Sequence, residues 1–221
     1  MQKLLFSNRL FTIAITLGAI TWAAGLMAAG HSASSIFVDD SIWDSAQLNF
    51  VPHTGSGAFG SYVTMNIPQG PVVKTCKAIE KAIGKKLINR GEAHITVVTP
   101  PEYNKILKPF LTMERINQIA EQNLIQNSSF DILCIGSGQS QLNGKKEETF
   151  FFVVQSTDLL KLRREVSRAF EAAGGEKGLF DAEKFYPHIT IGFTKRDLHL
   201  SDGVVKNETS YDKRFRILIG I

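Results

Sequence analysis

The triplet His-Ile-Thr occurs twice in this chain, at residues 94–96 and 188–190. Each copy lies in a run with strand composition, Glu92 to Thr99 and Phe185 to Phe193. On a strand, side chains two apart share a face. His94 is therefore set beside Thr96, and His188 beside Thr190. Ile95 and Ile189 turn to the other face, where β-branched residues anchor a strand in a core. Two imidazole–hydroxyl pairs presented in this way constrain the chain more than any other feature.

The rest of the chain reads as alternating helices and strands. Ser61–Ile67 predicts a strand, Val72–Ile83 a helix closed by Gly84, and 101–125 a helical region in two pieces. A hairpin is expected from Phe130–Gly136 and Thr149–Val154 across a polar loop, 137–146. A strong helix follows at Leu159–Ala173, then the second triplet's strand and a last strand, Phe215–Ile219. Gln47–Val51 is read as a short strand and Pro52–Gly60 as a glycine-rich loop. The order predicts an α+β fold with antiparallel pairing and two similar halves, each ending in His-Ile-Thr.

Residues 1–30 stand apart. Lys3 and Arg9 precede an apolar run, Leu10 to Ala29, and small residues follow. This is the layout of a signal peptide, or of an N-terminal anchor if uncleaved. Either places the remainder outside the cytoplasmic membrane, with membrane contact only through an uncleaved anchor. Residues 31–45 read as a flexible lead-in and 46–221 as the folded domain. Net charge is +4 over the whole chain. It falls to about +2 without Lys3 and Arg9, so bulk charge gives no nucleic-acid inference. Cys76 and Cys134 permit one disulfide, and serve equally well as small buried hydrophobes.

The chemistry that two such pairs could carry is phosphodiester cleavage. A neutral imidazole takes a proton from the attacking oxygen and a protonated one gives a proton to the leaving oxygen. The hydroxyls of Thr96 and Thr190 can hold non-bridging oxygens. Zinc is the chemical rival, but no His-x-x-x-His, Cys-x-x-Cys or nearby acidic cluster supplies further ligands. No metal or cofactor is expected. Alternation puts Tyr186 on the His188 face as a candidate base-stacking residue, and Phe185 in the core. Phe150–Phe152 read as hairpin core, His53 as part of a plain loop, and His199 as part of a solvated turn. Lys161, Arg163, Arg164 and Arg168 read as a solvated helix face.

Glu92-Ala93-His94-Ile95-Thr96-Val97 and Tyr186-Pro187-His188-Ile189-Thr190-Ile191-Gly192-Phe193 resemble the paired motifs of the two-histidine phosphoesterase superfamily. The resemblance extends over roughly residues 46–220. It implies a bilobed, pseudo-twofold α+β fold, with two antiparallel sheets, flanking helices and a central groove. It implies catalytic roles for His94 and His188 and phosphate binding by Thr96 and Thr190. The implied substrates are 2′,3′-cyclic phosphates, other cyclic nucleotides or RNA ends; separately, a monomer with no stable protein partner is expected. The alternative is a module on the same fold that binds such ends without turnover.

Overall fold

A computed structural model describes residues 32–220. Its elements are β1 (Ser34–Val38), β2 (His53–Thr54), β3 (Ser61–Asn66), α1 (Gln69–Ile83), β4 (His94–Val98), α2 (Pro100–Glu102) and α3 (Met113–Gln122). They continue with β5 (Asp131–Leu142), β6 (Lys145–Gln155), α4 (Thr157–Ala172), β7 (His188–Phe193) and β8 (Phe215–Ile219). A π-helical turn, Tyr103–Leu107, extends α2. The signal-peptide segment, 1–30, lies outside the described residues. No described helix is long and apolar enough to cross a membrane.

The α+β class and the antiparallel pairing hold. Six strands form one sheet in the order β2-β3-β4-β7-β6-β5, and β1 pairs with β8 in a separate parallel ribbon. The two halves, expected as two antiparallel sheets, are therefore joined edge to edge in one. β4 and β7 meet at a single registered pair, Ile95 with Ile189, the middle residues of the two triplets.

Around that pair the halves repeat. On one side Thr64, Met65 and Asn66 of β3 face Thr96, Ile95 and His94. On the other, Phe151, Phe152 and Val153 of β6 face Thr190, Ile189 and His188. Each ladder then skips the residue just after the triplet, Val97 in β4 and Ile191 in β7. A bulge at that point frees a carbonyl from the ladder, and each is recovered by a side chain. Arg163 Nη1 donates to Val97 O at 2.6 Å, and Asn89 Nδ2 donates to Ile191 O at 3.0 Å. Each half also sends one helix back between its strands, α1 after β3 and α4 after β6.

The helices cover the face carrying Ile95, Val97, Ile189 and Ile191, all fully buried. α1 contributes Val72, Cys76 and Ile79 and closes on Gly84 at φ 66°, a left-handed cap that glycine accepts. α4 contributes Leu159, Leu162, Val166 and Phe170, with Ser156 Oγ capping it through Leu159 N at 3.1 Å. Gly192, just after the second triplet, is one of several glycines packed too closely for a side chain. A Cβ there would stand 2.9 Å from Cys76 Sγ of α1 and 3.3 Å from segment 87–88, which pairs with Phe193.

Four expectations are corrected. Residues 31–45 are no flexible lead-in from Ser34 onward. β1 and the 3-10 helix Asp40–Gln47 bury Ile36, Val38 and Ile42 in the main core. No strand forms over Gln47–Val51; His53 and Thr54 pair instead with Tyr62 and Ser61. The polar loop 137–146 is mostly strand, since Asn143 (φ 51°) and Gly144 (φ 74°) make a tight turn whose twist suits a hairpin. Arg163 is not on a solvated face. It is 1 % exposed, sandwiched between Phe180 and Phe185, and ion-paired with Glu102 at 2.8 Å. Both cysteines are free, Cys76 in the main core and Cys134 against a second cluster on the other face.

Candidate active site

The face opposite the helices carries His94, Thr96, His188 and Thr190. Continuing the Ile95–Ile189 register sets His94 against Thr190 and Thr96 against His188. The two motifs are thus brought together as a two-by-two patch on adjacent strands. All four side chains are partly exposed, while their neighbours Ile95 and Ile189 are buried.

The two imidazoles are held differently. His188 Nδ1 lies 2.8 Å from the carbonyl oxygen of Tyr186. A carbonyl only accepts, so Nδ1 carries the proton and Nε2 is left as the acceptor nitrogen. The ring's neighbour is Phe151, edge-on at 6.1 Å. Burial pushes its pKa down to about 3, with the Lys206 charge adding to the effect. His94 Nδ1 lies 3.5 Å from a Glu92 carboxylate oxygen. Burial lowers its pKa to about 4, against the pull of Glu92. Tyr62 sits 6.3 Å from the His94 ring and stacks on His53 at 4.0 Å. His53 therefore belongs to the site's margin, carried on β2 rather than in a plain loop.

The second half holds a charge cluster that the sequence did not announce. The chain after β7 folds over this face and is pinned by Leu198 and Val204 against Phe151 and Val153. It carries Asp197 and Lys206, both 4 % exposed at the side chain and paired at 2.8 Å. Asp197 also accepts from Thr149 at 2.7 Å, Thr190 at 3.0 Å and Arg90 at 3.1 Å. Burial alone would raise its pKa, but Lys206 and the Thr149 hydroxyl hold it well below the usual carboxylate range. His199 sits on a solvated turn, as expected, with its side chain 51 % exposed and Nε2 4.0 Å from the same carboxylate. The hydroxyl of Thr190 is thus already committed, whereas that of Thr96 has no hydrogen-bond partner among the described residues.

Tyr186 precedes β7, so strand alternation does not place its ring. Its main-chain carbonyl orients His188. The side chain is 43 % exposed and lines a cavity of about 130 Å³ with Lys206, Asn207 and Glu208. Phe185 packs on the main core, as expected. Phe150 and Phe152 do too, but Phe151 points to the site face. Among the described residues, no group of three or more His, Cys, Asp and Glu side chains is placed to hold a metal ion.

The family model described as the Swiss Army Knife 2H phosphoesterase domain matches residues 61–199, more than half of the chain. The matched span contains both triplets. This chain belongs to the 2H phosphoesterase family. No curated protein and no solved structure is a match for it. The 2H domain as matched runs from β3 through His199, so it includes Arg90 and Asp197 but ends before Lys206. Lys206 completes the cluster from beyond that span. A sequence signal for the cluster existed only in the apolar anchors Leu198 and Val204, which hold an otherwise polar stretch down.

Proposed function

We propose that the protein is a metal-independent phosphodiesterase that hydrolyses 2′,3′-cyclic phosphates or related nucleotide and RNA-end phosphodiesters. The observation that carries this is the two-by-two patch, with both imidazoles and both hydroxyls on one face about the Ile95–Ile189 pair. In this scheme His188 is the general base. Its Nδ1–H is tied to the Tyr186 carbonyl, and the Lys206 charge favours the neutral ring. Its Nε2 takes a proton from water as the water oxygen bonds to phosphorus. His94 is the general acid, favoured by Glu92 beside it. As the phosphorus–oxygen bond to the leaving group breaks, the His94 imidazolium gives that oxygen its proton. The next turnover needs the proton returned from His188 to solvent and His94 recharged.

Both histidines are neutral near pH 7 in the unliganded protein, because both pKa values are lowered. A phosphodiester anion in the patch opposes that shift and stabilises the imidazolium. Thr96 is the hydroxyl available to donate to a non-bridging oxygen. Tyr186, beside its cavity, is the candidate base-stacking side chain. The layout of residues 1–30 supports action beyond the cytoplasmic membrane.

The test is turnover of the four 2′,3′-cyclic nucleoside monophosphates by the full chain in EDTA, beside the His94→Ala/His188→Ala protein. The expected result is hydrolysis by wild type alone, each histidine being worth roughly 10²–10⁴ in rate. A tight phosphate-dependent complex with no product would instead make the protein a binding module.

A further inference from the structure

The cluster at the second half of the site holds one cation more than its own carboxylate needs. Lys206 Nζ donates to both oxygens of Asp197, at 2.8 and 2.9 Å, and the pair is buried together. That already balances the Asp197 charge. Arg90 is then added to the same Oδ2 that accepts from Thr190. Other charges nearby are accounted for. Arg196 is held by both oxygens of Asp202, and Glu92 stands at His94.

Arg90 is also deliberately presented. Ile88 pairs with Phe193 through two backbone bonds, at 2.7 and 3.0 Å. Asn89 bonds to Ile191 O and accepts from Gly91 N at 2.9 Å. Gly91 turns the chain at φ 80°. The residue between these anchors is delivered to the edge of the patch by fixed backbone on both sides. Its guanidinium makes one contact among the described residues, through Nη2, and its side chain is 31 % exposed. Most of its five N–H donors remain for a ligand.

We propose that Arg90 is a substrate-binding residue that takes a non-bridging phosphate oxygen beside Thr190, with Asp197 fixing its fork and Lys206 balancing Asp197. This rests on the phosphodiesterase reading above and divides the phosphate between the halves. Thr96 donates from the first half and Arg90 from the second, in place of the committed Thr190 hydroxyl. A planar guanidinium with one edge anchored suits this task, because its other edge is oriented before the anion arrives. A phosphodiester's single negative charge then neutralises the surplus cation.

The test is calorimetric titration of full-chain wild type, Arg90→Gln and Arg90→Lys with inorganic phosphate and with 3′-AMP, followed by turnover of 2′,3′-cyclic AMP. Arg90→Gln should weaken binding of both anions by about 10- to 100-fold and raise KM more than it lowers kcat. Arg90→Lys, keeping the charge without the fork, should fall between. Binding within about twofold of wild type in both variants would overturn the proposal. If wild type fails to hydrolyse cyclic AMP while Arg90→Gln still loses the anions, the catalytic reading falls and the Arg90 assignment stands.

Discussion

The β3–α1–β4 half and the β6–α4–β7 half share a backbone plan down to the bulge after each triplet, but they dress it differently. In the first half His94 has a carboxylate beside it and Thr96 has an uncommitted hydroxyl. In the second, His188 has a carbonyl on Nδ1 and a buried ammonium nearby, and Thr190 is bonded to Asp197. The symmetric scaffold sets where the four groups stand. In the proposed scheme the asymmetric charges decide which imidazole gives a proton and which takes one. Two equivalent histidines would have no reason to divide the work.

The comparison breaks most visibly at Asp197. Asp197→Ala should leave Lys206 buried without its partner and lower unfolding stability by about 3–5 kcal/mol, read from urea denaturation. Removing Glu92, the carboxylate beside His94 in the first half, should not approach this, because it is more than half exposed. Loss of less than about 1 kcal/mol would mean that Lys206 finds solvent and that the halves are less different than described.

The threonines sharpen it. Thr96→Val should cost roughly 10-fold or more in kcat/KM while the melting temperature stays near wild type. Thr190→Val removes a donor from a buried carboxylate, so about 1–2 kcal/mol of stability should go as well. Equal stability losses in both variants would contradict the split between a ligand-facing and a committed hydroxyl.

A smaller effect follows from pH. Both histidine pKa values are lowered by folding, to about 4 and about 3, below the ordinary 6.5 of an exposed imidazole. Between those limits the unfolded chain binds more protons than the native one. Stability from these groups is therefore intact above about pH 6.5 and declines as pH falls toward 4 and 3. The urea midpoint should be lower at pH 5 than at pH 7.5, and a His94→Gln/His188→Gln protein should lose much of that difference.

Much of this was legible in the sequence, and what was not has a physical reason. The triplets, their strands and the helices α1 and α4 follow from local periodicity, so they could be read directly. The register that joins Ile95 to Ile189 is a tertiary fact, though the repeated triplet hinted at it. β1 pairs with a strand about 180 residues away, at Phe215–Ile219, which no local pattern encodes. Arg90, Asp197 and Lys206 are single charged residues in polar stretches. Leu198 and Val204 bury Asp197 and Lys206 and the Asn89 turn presents Arg90, and isolated charges in such stretches ordinarily read as solvated. Arg163 was missed in the same way, since its partners are carbonyls of segments far along the chain.

The proposed division of labour between the histidines is tested most directly by nitrogen-15 NMR titration of the imidazoles in the full chain. The account predicts that neutral His188 carries its proton on Nδ1 and titrates below His94, and that adding phosphate raises His94. An Nε2–H tautomer at His188, or the reverse order of titration, would contradict it.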